Sequence, residues 1–297
     1  MSSQIPTHYQ NTYQKNLELG LQQKTSKLEG CVRTENQSAE RDFYDKIGPT
    51  EAEDVTERHA DTKYANTKHD RRACTIIPAT WSDLIDKFDK VQLVTDPTSA
   101  YTQNAIAALN RRKDRHILTA AIGTAFTGKE GTTPVAFPSS QIVAVNYVEG
   151  GSAANSGMTI GKLRKAREIL GLADNDEDED TYLALTETQI TDLLKTTEVT
   201  SADYNSVQAL VAGKIDTFLG FKFKKVSPKL VVKASTTRKC VAWKKSGIVL
   251  AKGLEVQSKV TELATKNYST QVWACGMFGA TRLDEEKVVE IDCLESA

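Results

Sequence analysis

Before Trp81 the chain offers almost nothing from which to build a core. Residues 1–30 scatter Gln4, Gln10, Gln14, Gln22 and Gln23 among isolated leucines, with one helical possibility over 17–28. Such a segment cannot bury enough apolar surface to fold alone and reads as an arm. Over 31–80, short alternating patches such as Asp42-Phe43-Tyr44 and Cys74-Thr75-Ile76-Ile77 stand in a charged background too poor in Gly and Ser for a linker. The pattern predicts a long two-stranded extension that lies on a neighbour, because a lone hairpin is barely stable in water.

Core material begins at Trp81. Asp96 followed by Pro97 predicts a helix start, since the carboxylate caps an orphan N–H and proline has none to lose. The helix is expected to run to about Phe126, near Gly123 and Gly128, a length of roughly 45 Å. Its ends carry apolar residues (Ala105, Ile106, Ala108 and Leu109, then Ile117, Leu118, Ala121 and Ile122), but 110–116 is polar on every face. Two such turns are expected to meet solvent, another chain or a charged polymer. A second helix is signalled by Thr159 as cap and Gly171 as stop. Short alternating runs follow at 182–185, 218–223, 230–233, 241–243, 248–251, 272–275 and 288–293. Strands that follow helices without strict alternation predict an α+β fold.

The chain of 297 residues carries 38 basic and 39 acidic side chains, which argues against whole-chain attraction to nucleic acid or anionic membrane. That balance conceals two blocks. Between 174 and 203 there are ten acids against Lys195 alone; between 217 and 254 there are ten Lys or Arg and no acid. They read either as two solvated faces of one domain or as complementary faces of neighbouring subunits in a head-to-tail ring.

Motifs for chemistry are weak. Asp174, Asp176 and Asp178 have calcium-loop spacing, but Glu179 stands where that loop needs glycine and Leu185 where it needs glutamate, so a solvated loop is preferred. The segment 128–132 lacks phosphate-loop spacing and follows a helix. Of the four histidines, His8 falls in the arm, His59 and His69 in the polar extension and His116 among charged helix turns. None has a water-excluded nucleophile beside it, so no catalytic, cofactor-binding or metal-binding residue is nominated. Trp81, Trp243 and Trp273 are assigned to the core. Cys31, Cys74, Cys240, Cys275 and Cys293 never form C-x-x-C and read as reduced, mostly buried thiols. No signal peptide and no membrane-spanning run is found.

An ordered set of segments carries a resemblance. Arg58-His59-Ala60-Asp61-Thr62, His69-Asp70-Arg71-Arg72, Asp86-Lys87-Phe88-Asp89-Lys90-Val91 and Asp96-Pro97-Thr98-Ser99-Ala100-Tyr101 are followed by Ala108-Leu109, Arg111, Asp114, Gly123-Thr124-Ala125 and Gly128. The set resumes at Lys266-Asn267-Tyr268, Gly279-Ala280-Thr281-Arg282 and Val288-Val289-Glu290-Ile291. Over roughly 30–130 and 265–297 the chain resembles the major capsid proteins of tailed bacteriophages, in a group found among short-tailed phages.

That resemblance implies the Hong Kong 97-type shell fold. Residues 1–30 would be the N-terminal arm, 31–80 the E-loop, 81–150 with 255–297 the peripheral domain containing a spine helix at about 97–126, and 151–254 the axial domain. It implies a structural protein of the virion, without enzyme activity or cofactor, assembled in the host cytoplasm. Its hexamers and pentamers would close an icosahedral shell around double-stranded DNA. Further partners implied are portal and scaffold proteins and, in some shells, decoration proteins; no membrane is implied. Arg111, Arg112, Lys113 and Arg115, countered by Asp114, would face packaged phosphates on the inner surface, or else pair with acids of adjacent subunits. Arg58, Asp61, Arg71 and Arg72 are the candidate inter-subunit contacts of the E-loop. An encapsulin-like compartment of the same fold, holding protein cargo, and a soluble enzyme are the competing readings.

Overall fold

Tyr182 and Ala184 alternate with Leu183 and Leu185, and Val241 and Trp243 alternate with Cys240 and Ala242; all eight are buried. A sheet whose strands are apolar on both sides needs cover on both sides, and this requirement organises the fold. The computed structural model describes residues 22–54, 58, 61, 64–86, 98–173, 178–195 and 217–295.

In chain order come β1 (Arg33–Asn36), β2 (Arg41–Ile47), β3 (His69–Thr75), β4 (Ile77–Ile85), α1 (Thr98–Ile122), β5 (Ala125–Thr127), β6 (Thr133–Val135), β7 (Ile142–Val143) and α2 (Ile160–Leu172). There follow β8 (Thr181–Leu185), α3 (Glu187–Leu194), β9 (Thr217–Phe218), β10 (Phe221–Lys225), β11 (Lys233–Ala234), β12 (Thr237–Lys244), β13 (Ile248–Leu263), β14 (Ser269–Arg282) and β15 (Val288–Leu294). Three sheets result. The largest has the order β7-β15-β12-β8-β10-β9, with β11 paired to β12; the others are β1-β13-β14-β4 and β2-β3-β5-β6.

Two compact units divide the chain. The smaller takes 78–111 and 254–276 together with the chain up to Thr25; the larger takes 26–77, 112–253 and 277 onward. Within the larger unit, α2 lays Ile160, Leu163, Ala166 and Leu170 on Leu183, Leu185, Phe221, Ala242, Val289 and Ile291. The opposite face, with Tyr182, Ala184, Val241, Trp243 and Val288, is covered by Ile117, Leu118 and Ala121 of α1 and by Leu28, Cys31 and Val32. The smaller unit has a core of its own in which Ala105 and Leu109 meet Ala79, Ala274, Trp81 and Val256.

Several sequence expectations shift. Residues 22–28 are not helical, and only the short turn Glu29–Cys31 winds. The long helix stops at Ile122 instead of near Phe126, because Phe126 lies in β5 opposite Ala73. Its 25 residues span roughly 37 Å, and Asp96 and Pro97 lie outside the described residues. The run at 230–233 is largely a turn, with only Lys233–Ala234 paired. Thr159 caps α2 as expected, its hydroxyl accepting from the Lys162 N–H at 3.3 Å. Of the tryptophans Trp243 is fully buried, whereas Trp81 and Trp273 are half-buried. All five cysteines are buried and unpaired.

Two buried cations tie the elements together. Arg282 donates to the carbonyls of Ala121 at 3.0 Å and Gly123 at 2.7 Å, the last turn of α1, and lies over the Phe137 ring at 4.9 Å. A positive charge there also suits the negative end of the helix dipole. Lys162 is fully buried, and its Nζ donates to three main-chain carbonyls, Val145 at 2.9 Å, Ser156 at 2.8 Å and Asp292 at 2.8 Å. Lys162→Met removes the charged donor from all three oxygens, although Val145 O still accepts from Ser156 N and Ser156 O from Leu294 N, and should lower subunit stability by about 1–3 kcal/mol. Urea unfolding of the unassembled protein at pH 7 checks this; an unmoved midpoint refutes it.

Candidate assembly interface

The polar middle of α1 is solvated on one side only, at Arg112 and Arg115. Asp114 is fully buried, and its carboxylate accepts from Ser26 Oγ at 2.5 Å, Lys27 N at 3.1 Å and Leu28 N at 3.3 Å. Lys113, buried beside it, pairs with Glu29 at 2.9 Å and lies over the Phe278 ring at 4.7 Å. Glu29 also pairs with Lys252 on β13. Around this clasp Trp243 Nε1 donates to the Cys31 carbonyl at 2.9 Å, and Lys27 Nζ to the Lys225 carbonyl at 2.9 Å. Residues 26–32 are therefore built into the larger unit and are not part of an arm, in contrast to the expected 1–30.

This corrects one inner-surface expectation. Lys113 is buried against Glu29 and cannot face packaged phosphates. Arg111 is half-buried and donates to Gln22 Oε1 at 2.7 Å and to the Gln23 carbonyl at 3.1 Å. Arg112 and Arg115 point outward from the helix and are exposed.

β2 and β3 form an antiparallel hairpin with Arg41 opposite Thr75 and Ile47 opposite His69. Its base is held by charges. Arg72 is buried and pairs with Asp70 at 2.8 Å and with Glu285 at 2.9 Å; Glu285 in turn accepts from Arg282 at 3.4 Å. Arg71 lies over the Phe43 ring at 5.2 Å and pairs with Asp45 at 3.1 Å. Close approach needs glycines here: a Cβ on Gly131, whose φ is +64°, would meet Ala73 at 2.6 Å, and one on Gly279 would run into the Thr75 carbonyl oxygen. Away from the base, Ile47 is 67% exposed and Tyr64 92%. Of the four expected hairpin contacts, Arg58 and Asp61 are exposed, Arg71 is engaged but accessible, and Arg72 is withdrawn because it is buried in its own chain.

Parts of the two opposed charge blocks meet inside one subunit, through exposed pairs. β10 lies parallel to β8, with Lys222 opposite Tyr182, so Lys222 pairs with Asp180 at 2.6 Å and Lys225 with Glu187. Arg238 forks onto Glu295 at 2.6 and 2.9 Å, and Lys239 pairs with Glu290. Glu179 accepts from Ser246 N and from Ser246 Oγ at 2.8 Å. Asp174 and Asp176 lie outside the described residues, and among the described residues no cluster of His, Cys, Asp or Glu could hold a metal ion. Among the described residues no helix is long and apolar enough to cross a membrane. His8 and His59 fall outside them, His69 is exposed and His116 half-buried.

The clasp has a definite acid dependence. Burial works to raise the Glu29 carboxyl, but hydrogen bonds and charge from Lys252 and Lys113 outweigh it and hold the group below its ordinary 4.5. A carboxylate lowered in the folded state contributes fully above its unfolded pKa and is lost as pH falls through the folded value. Glu29→Gln should thus lower the melting temperature at pH 7, and the gap to the parent should narrow as pH falls below the ordinary 4.5. Circular dichroism melts across that range test this, and a constant gap refutes it. Asp114→Ala removes the acceptor for two buried or half-buried N–H groups and a hydroxyl, and should cost about 2–4 kcal/mol in the same measurement.

Comparison with known proteins fits this frame. No curated protein matches the chain by sequence. The capsid structure of the cyanophage P-SCSP1u superposes with a TM-score of 0.74 at 16% identity, covering 100% of this chain and 96% of that one. The capsid of Ralstonia phage GP4 gives 0.77 at 11% identity over 98% and 96%, and a structure from Mycobacterium phage Che8 gives 0.66 at 15% over 96% and 97%. The α+β arrangement is thus the phage capsid fold of the Hong Kong 97 type. A profile of the family described as phage capsid protein matches residues 5–295, and the chain belongs to that family.

Proposed function

We propose that this coat protein builds its shell from hexamers and pentamers that close an icosahedral container around double-stranded DNA in a phage virion. In this reading the β2–β3 hairpin is the E-loop, α1 the spine helix of the peripheral domain, the chain before residue 26 the arm, and 151–254 the axial domain. Its role is mechanical and not catalytic. Assembly takes place in the host cytoplasm, with portal and scaffold proteins as partners of the growing shell.

One observation carries the reading. The hairpin is anchored at its base by buried Arg72 between Asp70 and Glu285, yet presents Ile47 and Tyr64 outward. A segment firmly held at one end that leaves two large apolar side chains exposed among charged neighbours is suited to a surface supplied by a sister copy. Arg58, Asp61 and Arg71 are then polar contacts of the same surface. Exposed ion pairs are individually worth about 0 to 1 kcal/mol, so such contacts can break and re-form while a large shell corrects its errors.

Expression of the full chain with its scaffold, followed by negative-stain microscopy and a nuclease-protection assay, tests this directly. Closed particles that protect DNA are expected; a strictly monomeric product overturns the reading. Ile47→Asp should abolish particles while changing subunit stability by no more than about 0.5 kcal/mol. Deleting residues 1–21 should likewise reduce particle yield with little change in subunit melting. Deleting 1–31 should destabilise the subunit itself, because Leu28 and Cys31 belong to its core.

A further inference from the structure

Among the described residues the outer edge of β13 is covered only at its start. β1 runs beside it as far as Lys252, whose carbonyl accepts from the Gln37 N–H at 2.8 Å. Beyond Gly253 the strand continues to Leu263 with β14 on one side and, among the described residues, no strand on the other. Main-chain groups alternate in direction along a strand, so the outward aim of the Lys252 carbonyl passes to Leu254, Val256, Ser258 and Val260. Residues 257–262 are exposed, Val260 to 47%. An edge of this length is usually blunted by proline, a bulge or cover, and no proline lies between 248 and 263.

The side chains along this edge complement themselves. The run Lys252-Gly253-Leu254-Glu255-Val256-Gln257-Ser258-Lys259-Val260-Thr261-Glu262 turns about Gln257, so that Glu255 is matched by Lys259, Leu254 by Val260 and Lys252 by Glu262. Two antiparallel copies centred on Gln257 set opposite charges and apolar pairs face to face, and a two-fold axis repeats every pair. Hydrogen-bond parity agrees. Leu254 opposite Val260 and Val256 opposite Ser258 bring outward-aimed groups together, whereas Gln257 meets its own copy at a non-hydrogen-bonded position with Cα atoms about 4.5 Å apart. Sliding one copy by a single residue aims the N–H groups away from their acceptors. Sliding it by two sets Lys259 opposite Gln257 or Gly253 and loses the charge match. We propose that residues 254–260 of β13 pair antiparallel with the same residues of a second copy, so that the sheet continues from one subunit into the next. The inference rests on the shell reading and adds a defined seam to it. Neighbours within a ring of five or six meet head to tail, so an isologous seam lies between rings. Lys252 is already shared with Glu29, which leaves the two reciprocal Glu255–Lys259 pairs as the seam's charge code.

Gln257→Cys in the full chain tests the seam, because the five native cysteines are buried and a Cα separation of about 4.5 Å suits a disulfide. Particles treated with diamide should run as covalent dimers on non-reducing gels, with the 257–257 link confirmed by peptide mass spectrometry. Thr261→Cys, equally exposed, lies roughly 27 Å from its own copy in this register and should stay monomeric. In the Gln257→Cys background, Glu255→Lys or Lys259→Glu alone should cut the dimer yield about tenfold, and the two together should restore it to within about twofold. Intact particles without the 257–257 link, an equal yield from Thr261→Cys, or a double swap no better than the single ones overturns the proposal. Slow amide exchange at Leu254, Val256, Ser258 and Val260 in the isolated subunit overturns it too, since the edge is then covered by its own chain. If the parent chain never forms particles the shell reading fails, and the same cross-link read on the concentrated soluble chain still decides the seam.

Discussion

A sheet apolar on both sides imposes the main constraint on this molecule. One side is covered by α2 in the ordinary way, with four aliphatic residues on one helical stripe. The other is covered by the second half of α1, whose inward surface includes a lysine and an aspartate as well as Ile117, Leu118 and Ala121. Buried charges persist only when paired and hydrogen-bonded. Segment 26–31 meets that requirement: its N–H groups and Ser26 hydroxyl satisfy Asp114, and Glu29 satisfies Lys113. The segment that looks least able to fold is thus part of what allows the long helix to lie on the sheet.

The sequence made the periodic elements legible. Thr159 announces α2, the strands at 182–185, 241–243 and 288–293 fall where alternation places them, and the polar excursion before Trp81 contains the two pairing segments of the hairpin. It hid contacts between residues far apart in the chain. The polar turns at 110–116 point to solvent or a partner because nothing local reveals that Asp114 will meet residues 86 to 88 positions earlier. Arg72 and Arg282 look like surface charges for the same reason. The signal available was compositional: Gly279-Ala280-Thr281-Arg282 puts small residues before a long cation, the pattern required where backbones come close and one side chain must reach a helix end.

The charge blocks illustrate a related limit. Reading along the chain separates acids at 174–203 from bases at 217–254, and segregated charge invites a partner. The parallel pairing of β8 with β10 brings parts of both blocks side by side, and β12 finds its counter-charges on β15 and at Glu295. Some of the charge that looks available to a partner along the chain is therefore already paired within one subunit.

Glu285 touches Arg72 at the foot of the hairpin with one oxygen and Arg282 at the end of α1 with the other. A single carboxylate therefore joins the foot of the hairpin to the end of the helix. Tugging on the hairpin loads the final turn of the helix through two rigid guanidinium planes instead of through pliable loops. Removing that one carboxylate would leave two buried guanidinium groups facing each other, so the hairpin's foot and the helix end are loosened together or not at all.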